Sequence, residues 1–232
     1  MKISPRDLRR VVVFEHATDD DLHLILQNSV DRSIEEGGFF FFQGDTAEYL
    51  YILTSGQVKL MQSNSNGQQV NLRTIYPWQM FGALGAVRAE TAYPANAQAL
   101  EDSSALAVGS QFLRSMLETR PYFSFGLMKL MTSYIQEMQA RYRELATERV
   151  EQRVANALIR LAGQTGVRAE KEAVIVLSFS RQDVAEMTGT TLYTVSRLLS
   201  EWERQSIIKT GREKIKILKP HELVRIAENL EK

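Results

Sequence analysis

The 232-residue sequence contains no cysteine. Disulfides, thiolate nucleophiles, Cys-ligated zinc and Cys-ligated iron–sulfur clusters are therefore excluded. Histidine is scarce: only His16 and His23, around the first predicted helix, and His221 occur. There is no HExxH, no Walker-type loop and no paired nucleophile and base. No catalytic residue and no metal-ligand set can be named, and an enzyme is not expected. There is also no run of about 18 apolar residues and no charged-then-apolar leader, so a soluble, cytoplasmic protein without a membrane partner is expected. Charge of one sign is not in excess, because Lys+Arg and Asp+Glu both number 28. The distribution is slightly uneven. Residues 1–147 hold 13 basic and 16 acidic side chains, and residues 148–232 hold 15 and 12. A small basic surplus thus lies toward the C-terminus.

What the sequence does have is concentrated between Ser180 and Gln205. This stretch reads as a short helix, a tight turn at Gly189 and a second helix with two faces. Ser180 and Asp183 form a capping-box pattern, and Thr191 can cap the second helix. Val195, Leu198, Leu199 and Trp202 recur at i, i+3, i+4, i+7 and predict a buried stripe. Tyr193, Ser196, Arg197 and Ser200 repeat the spacing on another face, which is aromatic, polar and basic. A cationic side chain beside small hydrogen-bonding ones suits the major groove of double-stranded DNA. The alternative is an ordinary helical hairpin inside a domain. Downstream, Ile207-Ile208 and Lys214-Ile-Lys-Ile-Leu218 flank the turn 210–213 and predict a hairpin. A helix-turn-helix followed by such a hairpin is a winged helix, with Arg212, Lys214 and Lys216 available to phosphates. A solvated hairpin edge would also be rich in Lys. A last helix is expected from His221 to Leu230.

The N-terminal half has a different rhythm. A short helix, capped by Thr18, carries Leu22, Ile25 and Leu26. From Asp31 to about Val108 short strands follow, clearest at Phe39–Phe42, Tyr49–Leu53, Gln57–Met61 and Gln69–Arg73. The turns Gly37-Gly38, Gly44-Asp45, Ser55-Gly56 and Asn64–Gly67 separate them, and an antiparallel barrel or sandwich is expected. A long helix is predicted from Tyr122 to Ala146. Along it Met128, Met131, Ile135, Met138, Tyr142 and Leu145 are spaced 3, 4, 3, 4, 3, a heptad seam suited to self-association. Leu127, Leu130 and Tyr134 give the same helix a second apolar face, so packing within its own domain is the alternative. Another helix, Glu148–Ala162, carries Val150, Val154, Leu158 and Leu161. A polar loop, Gly163–Lys171, and a short strand, Val174–Leu177, lead into the helix-turn-helix. The Phe39–Phe42 run is expected to be strand core, with an apolar pocket as the alternative.

Two stretches, taken in order, carry a family resemblance: Phe81-Gly-Ala-Leu-Gly85, preceded by the Gly44 and Gly56 turns, and Ser180–Leu199 with its Thr194-Val-Ser-Arg197 core. On these the whole chain resembles the Crp–Fnr family of bacterial transcription regulators. The resemblance implies an α+β fold: a jelly-roll-like β-barrel sensor domain (1–120), a dimerisation helix (121–147) and a winged helix-turn-helix DNA-binding domain (148–232). It implies a homodimer on a palindromic site, its recognition helices ~34 Å apart, and RNA polymerase as a further partner. Arg181, Gln182 and Thr191 match positions that usually bind phosphates, Arg197 matches the arginine that usually reads guanine, and Ser196 is serine in the Fnr-like branch. Leu192, Thr194 and Ser200 complete the expected DNA-facing set. Tyr193 departs from the pattern, because most members have Glu there to accept a hydrogen bond from cytosine. Its ring suits a thymine methyl instead, and Leu192 replaces a commonly polar residue.

In members that bind cyclic AMP, a Gly-Glu-Leu turn and an Arg-Ser or Arg-Thr pair hold ribose and phosphate. Here the corresponding positions are Gly82, Ala83 and Leu84, then Tyr93 and Pro94. A buried phosphate needs a cationic or N–H-rich partner, so no cyclic-nucleotide binding is expected; Arg88 falls in the intervening loop. No cofactor is expected. Haem is kept as an alternative through His16, His23 or His221, as is a ligand-binding module with a vestigial DNA-binding domain. The nature of the effector, the half-site, the target genes and the choice between activation and repression are not legible.

Overall fold

The structure is a computed structural model that describes residues 3–63, 69–83, 87–88, 90–165, 167–168, 175–177, 179–211 and 214–229. The chain divides into two compact units, Met1–Glu137 and Met138–Lys232.

The first unit opens with α1 (Pro5–Leu8), a 3₁₀ turn (Val12–Phe14) and α2 (Asp19–Gln27). Thr18 caps α2 and shares a full capping box with Asp21. Eight strands follow: β1 (Ser29–Ile34), β2 (Phe39–Phe41), β3 (Tyr49–Ser55), β4 (Val58–Ser63), β5 (Gln69–Ile75), β6 (Met80–Phe81), β7 (Asn96–Ala99) and β8 (Ser103–Gly109). They form two four-stranded sheets, β1-β8-β3-β6 and β2-β7-β4-β5, and every pairing is antiparallel. This is the expected α+β, jelly-roll-like arrangement. The turn at residues 64–67 lies outside the described residues.

β3 shows why the sheets stack as they do. Its sequence Tyr49-Leu-Tyr-Ile-Leu53 is apolar on both faces, which marks a strand covered on both sides. Leu50 and Ile52 point into one core, shared with Leu22, Ile25, Phe14 and Phe123 of the flanking helices. Tyr51 and Leu53 point into a second core, shared with Phe41, Val58, Ile75 and Phe81. β8 alternates in phase, with Leu106 and Val108 in the first core and Ala105 and Ala107 in the second. The Phe39–Phe42 run splits accordingly: Phe41 is buried in the second core, whereas Phe42 lies beyond the strand and is exposed.

Two further helices complete the unit, α3 (Ser110–Thr119) and the long α4 (Pro121–Thr147), whose residues from Met138 belong to the second unit. The α2 start is fastened to the α3–α4 junction through Asp21. Its carboxylate accepts from the Thr18 backbone N–H at 3.3 Å, from Arg120 Nε at 2.9 Å and from the Tyr122 hydroxyl, and its side chain is 5% exposed. Burial alone would raise this carboxyl; the hydrogen bonds from Thr18, Tyr122 and Arg120 outweigh it and hold the group at about 2. Tyr122 is pushed up to about 12 by burial and by the same carboxylate.

The second unit contains α5 (Val150–Thr165), β9 (Val167–Arg168), β10 (Ile175–Leu177), α6 (Arg181–Thr188), α7 (Leu192–Arg204), β11 (Ile208–Gly211), β12 (Lys214–Ile217) and α8 (Pro220–Ala227). The sheet order is β11-β12-β10-β9, all antiparallel. Here the structure corrects one expectation. The polar segment after Ala162 is not simply a loop: α5 continues through Gly163 to Thr165, and Val167–Arg168 pairs with β10. A single Gly is tolerated within a helix at a cost of about 1 kcal/mol, and a two-residue strand needs no periodicity to form. Val174, Arg212 and Leu230 lie outside the described residues.

Asp21 titrates lower in the fold than in the unfolded chain, where a carboxyl lies near 3.9. Its contribution is therefore present above about pH 4 and is lost as pH falls toward 2. Asp21→Asn is expected to lower stability at pH 7 by roughly 2 kcal/mol and to flatten the acid limb of a denaturant-melt series between pH 4 and 2.

Candidate nucleic-acid interface and sensor cavity

The second unit assembles its exposed helix from the caps outward. Ser180 accepts from the Asp183 N–H, and the Asp183 carboxylate receives the Ser180 N–H at 3.0 Å and its hydroxyl at 2.6 Å. Gly189 ends α6 in the left-handed region at φ 61°, and the Thr190 N–H reaches back to the Ala185 carbonyl at 3.1 Å. That six-to-one bond closes the helix in the Schellman manner. The dihedral selects glycine here; a Cβ would lie 3.0 Å from Leu145 Cδ2, the end of an exposed side chain that can turn aside. Arg153 secures the same corner, giving Nε to the Thr188 carbonyl at 3.1 Å and Nη1 to the Glu148 carbonyl at 3.0 Å. Thr191 then caps α7 by accepting the Thr194 N–H at 3.2 Å.

α7 has the two faces its sequence announces. Val195, Leu199 and Trp202 are buried, and Leu198 is half-buried. Thr191, Leu192, Tyr193, Arg197 and Ser200 are exposed, with Thr194 and Ser196 intermediate. Tyr193 is 78% exposed and Leu192 47%, a costly display of apolar surface for a free-standing helix. Arg197 has no hydrogen-bond or ion-pair partner among the described residues. Gln182 is exposed and bonds Glu186 one turn along at 3.0 Å.

Arg181 is placed differently from the other expected DNA-facing residues. It is half-buried, and its Nη2 donates to Thr210 Oγ1 at 3.1 Å. Thr210 in turn donates its hydroxyl and its N–H to the Glu203 carboxylate, both at 2.8 Å. The two bonds from Thr210, with Arg181 nearby, hold the Glu203 carboxyl below the usual range. This chain of contacts ties the start of α6, the end of α7 and the hairpin together. On the outer face of the hairpin Lys209 lies directly opposite Lys216, and both are exposed, as is Lys214. Lys209 was not picked out from the sequence; its alternation with Ile208, Ile215 and Ile217, which are buried, is the signal that marks it.

Along α4 the expected seam residues share one condition. Met128, Met131, Ile135, Met138, Tyr142 and Leu145 are all exposed, from 42% at Met131 to 75% at Tyr142. The opposite face is occupied: Phe123 and Leu127 are buried, and Leu130 packs on the first core.

The first unit contains a partly open cavity of about 280 Å³. Gly82, Ala83, Tyr93 and Pro94 all line it; Leu84 lies outside the described residues. Tyr93 is 4% exposed and stacks on Phe41 with ring centroids 3.7 Å apart. Its hydroxyl donates to the Tyr49 carbonyl at 2.6 Å and accepts the Tyr49 N–H at 3.1 Å, and burial raises its pKa. Gly82, at φ 75°, leaves room for this pair, since a Cβ there would meet Tyr93 at 3.2 Å and Phe41 at 3.3 Å. The backbone nearby is also committed. The Tyr93 N–H bonds the Asp45 carbonyl at 2.9 Å, Pro94 has no N–H, and the Pro94 carbonyl accepts from Gln62 at 2.8 Å. Arg73 is the one charged residue among the described lining, and it is ion-paired with Glu137 at 3.1 Å. Arg88 is exposed and is not part of the lining. His16, His23 and His221 are exposed, and none is among the described residues that line the cavity.

A jelly-roll unit and a second unit with a capped, winged helix-turn-helix are the two parts of a regulator of transcription. Residues 31–120 match the family described as cyclic nucleotide-binding domain, and residues 152–226 match the Crp-like helix-turn-helix domain. The chain is 26% identical over 189 residues to the Anaerobic regulatory protein of Bacillus subtilis, covering 81% of this chain and 79% of that one. It is 26% identical over 199 residues to the Cyclic AMP receptor protein of Thermus thermophilus, covering 86% and 88%. Its fold is similar to that of FixK2 from Bradyrhizobium japonicum, with a TM-score of 0.75 at 21% identity over 85% of this chain and 96% of that one. The protein belongs to the Crp–Fnr family of DNA-binding transcription regulators. Among the described residues no helix is long and apolar enough to cross a membrane.

Gly189→Ala forces a side chain into the left-handed region and against Leu145. It is expected to lower stability by about 1–2 kcal/mol, read as a shift in a urea midpoint, and to weaken DNA binding by no more than this destabilisation explains.

Proposed function

We propose that the protein works in the cytoplasm as a homodimer on a two-fold symmetric DNA site, and that it is not an enzyme. The observation that carries this is the state of α7: Arg197 is exposed, with no partner among the described residues, on a helix whose far side is sealed by Val195, Leu199 and Trp202. In a major groove its guanidinium matches guanine O6 and N7 with two parallel bonds. Ser196 and Ser200 flank it, and the Tyr193 ring and Leu192 offer apolar contact to thymine methyls. Gln182, Thr191 and Thr194 stand at helix starts, where backbone N–H groups favour a phosphate. Lys209, Lys214 and Lys216 extend the phosphate contacts along the wing. Arg181 serves by holding the wing through Thr210, and it reaches phosphate only by giving up that bond.

Two copies pair through the exposed seam of α4. Six apolar side chains in heptad register on one helix are what a parallel partner would cover. A signal at the barrel shifts the paired helices and so re-aims the recognition helices. The sensor operates without cyclic nucleotide, haem or iron–sulfur cluster. Support for this lies in the residues that replace a phosphate cradle: a neutral, internally bonded Tyr93 and a proline. RNA polymerase is the further partner through which binding acts on transcription.

Site selection from random duplexes is expected to return a palindrome. Arg197→Ala should relax preference at one position per half-site, at a cost of about 1–3 kcal/mol. Lys216→Ala should weaken all sequences alike and reduce the slope of log affinity against log salt by about 1. A salt-independent, unselective protein would sink the reading.

The double substitution Ile135→Lys, Met138→Lys is expected to leave the protein folded and monomeric in sedimentation, and to abolish binding to the palindrome while sparing weak binding to single half-sites.

A further inference from the structure

The cavity of the first unit differs in kind from an anion site, and its wall specifies what it takes. We infer that it binds an uncharged, mostly apolar small molecule. The volume of about 280 Å³ is far beyond a packing gap. A cavity of roughly half this size, lined by apolar side chains, is enough to hold a benzene ring and stays dry when empty. This one therefore suits a molecule of about two fused or linked rings.

Its surface is set by Phe41, Phe81, Leu60 and Ile75 from the two sheets, and by Leu127 and Leu130 from α4. The polar groups of Tyr93 and Pro94 in the wall are already engaged. The Tyr93 hydroxyl is doubly bonded to Tyr49, and the Tyr93 N–H and Pro94 carbonyl are bonded elsewhere in the loop. Arg73 sits between the Glu137 carboxylate at 3.1 Å and the face of the Tyr134 ring at 3.9 Å. An anionic ligand would have to compete with the Glu137 carboxylate and the Tyr134 ring for Arg73. A neutral ligand leaves the pair intact and gains from burying its own surface. The aromatic side chains of Phe41, Phe81 and Tyr134 in the lining favour rings over chains.

Any role of such a ligand as an effector rests on the regulator reading above; the binding chemistry does not, and the test separates the two. Full-length protein is titrated with N-phenyl-1-naphthylamine, a neutral two-ring fluorophore. Saturable, blue-shifted emission at one site per chain is expected. Ala95→Phe and Leu130→Trp each place bulk in the cavity and should weaken binding at least tenfold while the melting transition stays cooperative. Met138→Lys, on the seam, should leave binding unchanged, which separates the cavity from the exposed apolar stripe. Millimolar 3′,5′-cyclic AMP should not displace the dye. Absence of saturable binding to the native protein, equal binding by both filled variants, or displacement by the cyclic nucleotide would overturn the inference. Duplex binding is measured on the same preparation. Its loss with dye binding retained counts against the regulator reading alone, and the reverse outcome counts against the ligand class alone.

Discussion

Everything in this protein turns on a helix that has to satisfy two apolar faces at once. α4 lays Phe123 and Leu127 into the core of the first unit and adds Leu130 and Tyr134 to the wall of its cavity. The other face leaves methionine, isoleucine, tyrosine and leucine in water. One stripe is satisfied within the chain; the other is not. A soluble monomer rarely leaves so continuous a stripe uncovered. Met131 belongs to both, since it lines the cavity and still exposes 42% of its surface. The side of the helix that contents of the cavity would touch and the side that a second copy would cover meet in that one flexible thioether chain, which adapts its shape at little cost.

Much of this was legible in advance, and the parts that were not share a cause. The helix-turn-helix was readable because caps, a left-handed turn and a 3.6-residue stripe all fall within 26 residues, each local in sequence. The four clearest strands were readable because their apolar runs are bounded by turn residues. β7 and β8 were not singled out. Asn96-Ala-Gln-Ala99 and Ser103-Ser-Ala-Leu-Ala-Val-Gly109 bury mostly alanine, which says little about periodicity. α3 carries Phe112, Leu113, Met116 and Leu117 at helical spacing, but it follows β8 with no linker to announce it. α1 is a single turn, too short for a periodic signal.

Long-range polar pairings were the least legible of all. Asp21 and Tyr122 are about a hundred positions apart, and nothing local marks them as partners. Arg181 reads from the sequence as a phosphate contact, and Thr210 and Glu203 as ordinary surface residues; only the fold brings the three together. Tyr93 is the instructive middle case. The sequence shows that an arginine is not there. Why the replacement is a tyrosine emerges only from the stacked Phe41 ring, the glycine that makes room for both, and the Tyr49 backbone that occupies the hydroxyl.

The outer face of the wing carries a small penalty of its own. Lys209 and Lys216 are cross-strand neighbours, and like charges so placed repel. Dissolved ions relieve that repulsion by screening it. They also diminish the attraction of the same two ammonium groups for a polyanion. Ionic strength thus pulls this hairpin in opposite directions, settling its fold while weakening its attraction for a polyanion. The two-stranded ribbon is most at ease as a free structure in the conditions where that attraction is weakest, and a row of phosphates laid across it would do locally what concentrated electrolyte does in bulk.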